Sequence, residues 1–414
     1  MASRRRLSFA DLLDRHAQVA VHVGTRPTPG QQVLMTVNEE GLPLARLVAK
    51  HLYLAGASNV TTLIDDGELT LARYRYARSE SFDVHSDWLF QGMAAAFKDG
   101  AARLAITGDN PGLLAGQDPD RVGRAAAARA KAYKPAADCI TSGMINWSIS
   151  ACATKAWAKQ AFPELSERAA LSKLWRAIFA ASRADTEDPI AAWAEHNANL
   201  LARKAMLNQS RFSALLFRGP GTNLVVGLAD GHIWAGGESK SASGVIFNAN
   251  IPTEEVFTTP HCRRVNGYVS SSRPLSLHGT IVDGIRVRFE HGCIVEATAK
   301  TGEEALRHLI ATDEGACRLG EVALVPHSSP ISKSGLLFFN TLFDENAACH
   351  MAVGQSYAKC IEGGRTSSKE ELLARGANQS DVHVDWMIGS GAVDVDGICQ
   401  NGLVVPIMRG CEWV

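Results

Sequence analysis

The feature that most limits what this chain can fold into is the alternation, over its first ~110 residues, of short β-rich apolar runs with segments of helical period. Residues 30–37 (GQQVLMTV) predict a strand, 42–55 (LPLARLVAKHLYLA) an amphipathic helix with Gly56 at its C-terminal cap, and 59–64 (NVTTLI) the next strand. A helical stretch rich in Arg and Tyr then leads to a third strand at 102–108 (ARLAITG). Strand, helix and strand in this order predict a parallel, three-layer α/β arrangement. The strand ends carry neither GxGxxG nor GxxxxGK[ST], so no glycine-rich phosphate cradle is expected there.

From about residue 120 to about residue 205 the chain is Ala-rich and helical in pattern, as in RVGRAAAARAKAYK and PIAAWAEHNANLLARKAML. Trp147, Trp157, Trp175 and Trp193 fall among these segments and read as packing anchors rather than a cofactor box. Beyond Arg211 the texture changes to short β-rich runs broken by glycine, with Asp283-Gly284 and His291-Gly292 expected to close hairpins. A chain of 414 residues exceeds what one hydrophobic core organises. Two domains are therefore expected: an N-terminal α/β domain with an Ala-rich helical extension over 1–207, and a β-rich α+β domain over 208–414.

A net charge of -1, from 42 basic and 43 acidic residues, supplies no field that would gather a polyanion, so nucleic acid is not an expected partner. The nine cysteines are odd in number and include no CxxC pair, and they read as reduced thiols. In MASRRRLSFADLLDRH, Asp11 and Asp14 interrupt the segment before any apolar core of a signal peptide, and no run of 18 apolar residues follows. Neither a signal peptide nor a membrane span is expected, which points to the cytoplasm. Arg4, Arg5 and Arg6 read as the solvated start of an amphipathic helix.

Four polar clusters in the second half sit beside apolar residues. In NIPTEEVFTTP, Glu254 and Glu255 would repel unless a cation or proton joined them. In an extended segment they point to opposite faces, so one can hold a metal while the other faces a substrate; a surface pair in a loop is the alternative. In LGEVALVPHSSPI, Glu321 stands at the mouth of a buried strand, and His327 is either a ligand or a hydrogen-bonded structural histidine. NTLFDENAACHMAVGQSY offers Asp344, Glu345, His350 and Tyr357. If 344–357 is helical, His350 and Tyr357 lie two turns apart on one face, and Asp344 and Glu345 favour the helix N-terminus through its dipole. In DVHVDWMIG, His383 and Asp385 alternate along a strand and so share a face, a compact chelating unit. Carboxylates and imidazoles with a phenol and no thiolate suit Zn, Co, Mn or Mg rather than a structural zinc site.

Taken together, NIPTEEVFTTP, TDEGACRLGEVALVPHSSPISKSGLLFFNTLFDENAACHMAVGQSY and HVDWMIGS resemble the thermophilic aminopeptidase family of metallopeptidases. The likeness runs densely from Gly219 to Val414 and includes the closing VDVDGI and CEW. It continues more thinly through INWSISACATKAWAKQAFP, where Lys155 stands at a position usually occupied by Pro. The resemblance implies that Glu255, Glu321, His350, Tyr357, His383 and Asp385 are metal ligands, with Cys349 replacing a common Ser beside the histidine. It also implies two divalent ions per chain, a homodimer whose active sites open into an enclosed space, and removal of N-terminal residues from short peptides.

The expected chemistry is then metal-dependent peptide hydrolysis, in which a two-metal site lowers the pKa of a bridging water from about 15.7 towards ~7 and polarises the scissile carbonyl. Glu321 is expected to bridge, Glu254 to act as general base, and Tyr357 to ligate weakly or to donate to the oxyanion. Two rivals remain. A ring-cleaving dihydroxypyridine dioxygenase resembles the same scaffold, and His350, His383 and Asp385 would suffice as an Fe(II) facial triad, although a single iron needs neither Glu255 nor Glu321. The other is an amidase that uses the same apparatus on a small metabolite. A non-catalytic binding protein has no use for a complete ligand set.

Overall fold

The computed structural model describes residues 7–108, 110, 112–277 and 280–414; Arg4 to Arg6 lie outside them. The chain divides into two compact units, Met1–His196 with Glu238–Pro252, and Asn197–Gly237 with Thr253–Val414.

The first unit opens with helix α1 (Phe9–Val19), which starts where Ser8 and Asp11 cap each other reciprocally. Strands β1 (Gln32–Asn38), β2 (Asn59–Asp65), β3 (Ala102–Thr107) and β4 (Trp147–Ala151) form a parallel sheet in the order β2-β1-β3-β4. The crossovers run through α2 (Leu42–Leu54), then α3 (Gly67–Tyr76) with α4 (Asp87–Lys98), then α5 (Pro119–Thr141). Gly56 follows α2 with φ 96°, the left-handed conformation its cap position requires. Leu34 of β1 packs into the apolar cluster of Phe90, Met93 and Phe97 from α4 and Ala132 and Ala136 from α5. Val33, Met35 and Val37 point to the opposite face and are buried as well. A strand covered on both sides explains why this run shows no polar alternation, and it makes the unit three-layered.

Helices α6 (Lys155–Ala161), α7 (Glu167–Ala181) and α8 (Pro189–Ser210) follow. Trp157 and Trp193 are fully buried, Trp175 stacks on Phe179, and Trp147 packs against the α4–α5 cluster, so all four anchor the core. Trp193 satisfies its one donor by bonding the Ser182 carbonyl at 2.8 Å.

The second unit begins within α8, at Asn197, and continues with β5 (Ala214–Gly219), β6 (Thr222–Leu228) and β7 (Ala235–Gly236). The antiparallel pair β8 (Glu238–Lys240) and β9 (Ile246–Asn248) belongs to the first unit, an excursion that no shift in composition marks. The chain continues with β10 (Val256–Thr258), β11 (Pro260–Ser270), the paired β12 (Leu275–Leu277) and β13 (Thr280–Val282), β14 (Arg286–Glu290) and β15 (Cys293–Thr298). It ends with β16 (Leu319–Leu324), β17 (His350–Gly354), β18 (His383–Met387), β19 (Asp394–Ile398), β20 (Val404–Arg409) and β21 (Glu412–Trp413). Two sheets result, one in the order β18-β17-β16-β10-β7 and a larger one in the order β15-β14-β11-β6-β5-β19-β20-β21. Phe217, Leu224, Val265 and Phe289 of the larger sheet share one apolar cluster with Val322, Met351 and Trp386 of the smaller.

Three sequence expectations need correction. Residues 344–357 are not one helix: a short helix (Thr341–Asp344) and a 3-10 turn (Glu345–Ala347) lead into strand β17. Pairing with β16 and β18 on both sides overrides the local helical period. His291-Gly292 does close a two-residue hairpin between β14 and β15, both residues with positive φ, but Asp283-Gly284 joins strands that pair elsewhere. The cysteines are not all reduced, because Cys293 and Cys317 form a disulfide with Cα atoms 5.3 Å apart. Cys293 opens β15 and bridges to Arg318, which brings together two residues 24 apart with no local motif to announce them. The other seven cysteines form no disulfide. Among the described residues, no helix is long and apolar enough to cross a membrane.

Candidate metal centre

The smaller sheet of the second unit builds the site through its two-residue period. Across β16, β17 and β18 the register sets Glu321 opposite Ala352 and Ala352 opposite Asp385, while Ala323 faces His350 and Gly354 faces His383. Opposed residues share a face, so Glu321, His350, His383 and Asp385 all project from one side of the sheet. Val322, Met351, Val353 and Trp386 project from the other side into the apolar core. The positions between the polar groups are Ala323, Ala352 and Gly354, whose small side chains leave room above the sheet. Gly354 has φ 100°, and an added Cβ would collide with the Val382 carbonyl. Glu255 immediately precedes β10 and has the parity of Phe257, which lies opposite Ala323 on the same face.

The side chains converge. His350 Nε2 lies 3.1 Å from Glu255 Oε2 and 4.0 Å from Glu321 Oε1, and His383 Nε2 lies 3.3 Å from Glu321 Oε2 and 3.5 Å from Asp385 Oδ1. Two overlapping triads emerge, Glu255–Glu321–His350 and Glu321–His383–Asp385, each with its candidate ligand atoms within 4.8 Å of one another. Glu321 belongs to both and turns one oxygen to each histidine. Both imidazoles are oriented from behind: His350 Nδ1 bonds the Ala348 carbonyl at 3.1 Å and His383 Nδ1 the Gln355 carbonyl at 2.7 Å. An Nδ1–H donated to a carbonyl leaves the Nε2 lone pair for a ligand. Tyr357, 39% exposed, places its hydroxyl 3.3 Å from His383 Nε2 and its ring 4.8 Å from the imidazole.

Glu254 is buried, and its N–H donates to Asn346 Oδ1 at 2.6 Å. Asn346 in turn bonds the Leu342 carbonyl, tying the Glu254–Glu255 segment to the turn that carries Glu345. Sequence reasoning gave Glu345 only a helix-terminus role. Its carboxyl is held well above the usual range by burial and then by the charges of Glu255 and Asp385, so it stands within the site's field. The acidic pair at 344–345 was the available signal, and the 3-10 turn Glu345–Ala347 carries the member that feels the charges of Glu255 and Asp385. Asp344 instead accepts the Phe338 and Asn340 N–H groups. His327 bonds Ser332 Oγ at 3.2 Å and belongs to neither triad, which favours the structural alternative for it.

Burial alone would strip the proton from an imidazole, yet the carboxylates Glu255, Asp385 and Glu321 together push His350 up to about 10. His383 is pushed to about 11 by the same contest, with Asp385 and Glu321 outweighing burial. Burial and the charges of Asp385 and Glu255 raise Glu321 to about 7 despite its bond to His383. Protons are thus holding together a cluster whose carboxylates would otherwise repel. Glu255 Oε2 and Asp385 Oδ1, both buried, accept no well-directed hydrogen bond. Oxygen and imidazole donors held this way fit divalent cations, which take over the neutralising role by displacing protons.

A family model described as thermophilic metalloprotease (M29) matches residues 9–413. Aminopeptidase T of Thermus thermophilus is 52% identical over 407 residues, covering 98% of this chain and 99% of that protein. The solved structure of aminopeptidase T from the same organism superposes with a TM-score of 0.94 at 50% identity, covering 98% of this chain and all of that one. A 2,5-dihydroxypyridine dioxygenase structure from Pseudomonas putida superposes with a TM-score of 0.54 at 12% identity over 99% of this chain and 98% of that one, a likeness of fold alone.

Proposed function

Because the chain belongs to the thermophilic metalloprotease family and is a metal-dependent aminopeptidase, we propose that it hydrolyses the N-terminal bond of short peptides at a centre of two divalent ions. Glu255, Glu321 and His350 would hold one ion and Glu321, His383 and Asp385 the other, with Glu345 and Tyr357 beside them. The observation that carries this reading is Glu321, whose two oxygens serve two different triads. Zn, Co, Mn and Mg all suit the donor set. Divalent ions bound here acidify a coordinated water and polarise the scissile carbonyl. Glu254, buried next to the ligand Glu255, is the general base that takes the proton of the attacking water and passes it to the departing amine. Tyr357, at the open side, donates its hydroxyl to the oxyanion.

Metal content measured together with turnover of a panel of dipeptides and aminoacyl amides tests the reading. Two ions per chain with release of N-terminal residues is the expected result. One iron with oxygen consumption would replace it by the dioxygenase reading, and turnover of small amides without peptides by the amidase reading.

His383→Ala and Asp385→Ala should each lose metal and activity yet keep the fold, because both side chains project from the face opposite the apolar core. Native mass spectrometry with circular dichroism checks this, and full occupancy with normal turnover in either variant would contradict it.

A homodimer is the proposed assembly. Supporting it, β2 is an edge strand, and Leu54, Ile64 and Leu69, on and beside it in sequence, expose apolar side chains. Light scattering should give twice the chain mass whether or not reductant is present, since the disulfide lies within one chain. A monomer at micromolar concentration would refute it. The cytoplasm is the proposed compartment, a placement supported by the seven cysteines that form no disulfide.

A further inference from the structure

We propose that Lys359 receives the free α-carboxylate of a short peptide substrate and so sets the preference for substrate length, a role that rests on the aminopeptidase reading above. Lys359 lies in the 3-10 turn Ala358–Cys360, directly after Tyr357. Its ammonium stands 4.7 Å from the ring centre of Phe257 and 5.0 Å from that of Tyr357. Those two rings flank the centre: Phe257 follows Glu255 by two residues on the same sheet face, and the Tyr357 hydroxyl is 3.3 Å from His383 Nε2. The Lys359 ammonium and the His383 imidazole thus contact one and the same ring, 5.0 Å and 4.8 Å from the centre of Tyr357. The lysine is half-buried, and among the described residues no carboxylate forms an ion pair with it.

A lysine within reach of a carboxylate would ordinarily swing onto it. Here two aromatic faces hold it back, an arrangement that keeps the charge available. The turn that carries it is fixed: Cys360 N–H donates to the Tyr357 carbonyl at 3.0 Å, Ile233 N–H to the Cys360 carbonyl at 2.8 Å, and Thr259 Oγ1 to the Tyr357 carbonyl at 3.3 Å. A positively charged group on rigid elements, set to one side of the scissile bond, complements an anion leaving in that direction.

The substrate's charges match. A short peptide enters with an ammonium at one end, which suits the carboxylates of the site, and a carboxylate at the other. In a dipeptide the two are separated by roughly 7 Å of extended chain. The scissile carbonyl and the carboxylate lie one residue apart, roughly 3.6 Å of extended chain, so with the carbonyl at the centre the carboxylate falls beside Tyr357, whose ring Lys359 contacts. Each further residue carries the carboxylate beyond the lysine, and the contact is lost.

The test compares a dipeptide such as Leu-Gly with its C-terminal amide, on the metal-loaded protein, with metal content measured for each variant. The wild-type protein should show a KM for the free acid roughly tenfold below that for the amide, the size of one charge-assisted contact at a half-exposed position. In Lys359→Met, similar in length but neutral, the ratio should approach one, and Lys359→Arg should restore it. An equal KM for acid and amide in the wild-type protein would overturn the proposal without any variant. So would Lys359→Met that keeps the discrimination, or that alters both substrates alike, the signature of a merely structural lysine. If the two-metal protein hydrolyses neither compound nor any longer peptide, it is the aminopeptidase reading that falls, and this proposal falls with it.

Discussion

Glu321→Gln should leave the protein folded, empty of both ions, and slower in kcat/KM by more than about 10⁴-fold, the largest loss expected of any single substitution here. The other ligands each belong to one triad, but Glu321 belongs to both, turning Oε1 towards His350 and Oε2 towards His383. Glutamine keeps the volume at a fully packed strand position while removing the charge and half the acceptor capacity. Its amide N–H₂ would also direct donors at one of the two imidazoles, where an acceptor is needed. Glu255→Gln and Asp385→Asn should instead lose chiefly the ion of their own triad. Native mass spectrometry separates the two patterns, two ions lost against one. If Glu321→Gln holds one ion with unchanged affinity, the shared-carboxylate assignment is wrong.

How much of this was legible in the sequence depends on whether the signal was local. The strands β1, β2 and β3 were readable as short β-rich apolar runs, and the helix α2 by its helical period, both of them local signals. The unit His383–Asp385 was readable for the same reason, since alternation along a strand already says that the two side chains meet. His350 was a ligand candidate through the family resemblance, not through any local period. A helix over 344–357 was one conditional reading, whereas His350 opens a strand and comes near Glu321 through the pairing of β16 with β17.

Nothing local distinguishes HMAVG as strand or helix when both of its edges are taken by neighbours. Glu345 was undervalued because a turn, not a helix, aims it. The Cys293–Cys317 pair depends on a chain reversal 24 residues long, and the return of 238–252 to the first unit on contacts with no compositional mark. The roles assigned to Glu255 and Tyr357 came from resemblance rather than from spacing. Their positions beside His350 and His383 are consistent with those roles.

The neighbours Glu254 and Glu255 show how far geometry can go where composition cannot. Both are buried, and they differ in direction along the segment entering β10. Glu255 has the parity of Phe257 and reaches His350 Nε2 at 3.1 Å, the position of a ligand. Glu254 is fixed at its backbone by the 2.6 Å bond from its N–H to Asn346 Oδ1, its side chain is buried, and it belongs to neither triad. A general base is a carboxylate near the metal ligands that is not itself a ligand, and Glu254, next in sequence to Glu255, is the candidate. Glu254→Gln should therefore retain both ions while turnover falls on the order of 10²- to 10⁴-fold. KM should change little, because the glutamine keeps the shape of the wall. Glu255→Gln should weaken metal binding first, with activity recovering in part when metal is added in excess. A loop-capping role for Glu254 gives a different result, a lower melting temperature with near-normal turnover. Metal titration and steady-state kinetics on both variants decide the matter. Equal metal loss in the two, or a Glu254→Gln enzyme that turns over normally, would remove Glu254 as the base.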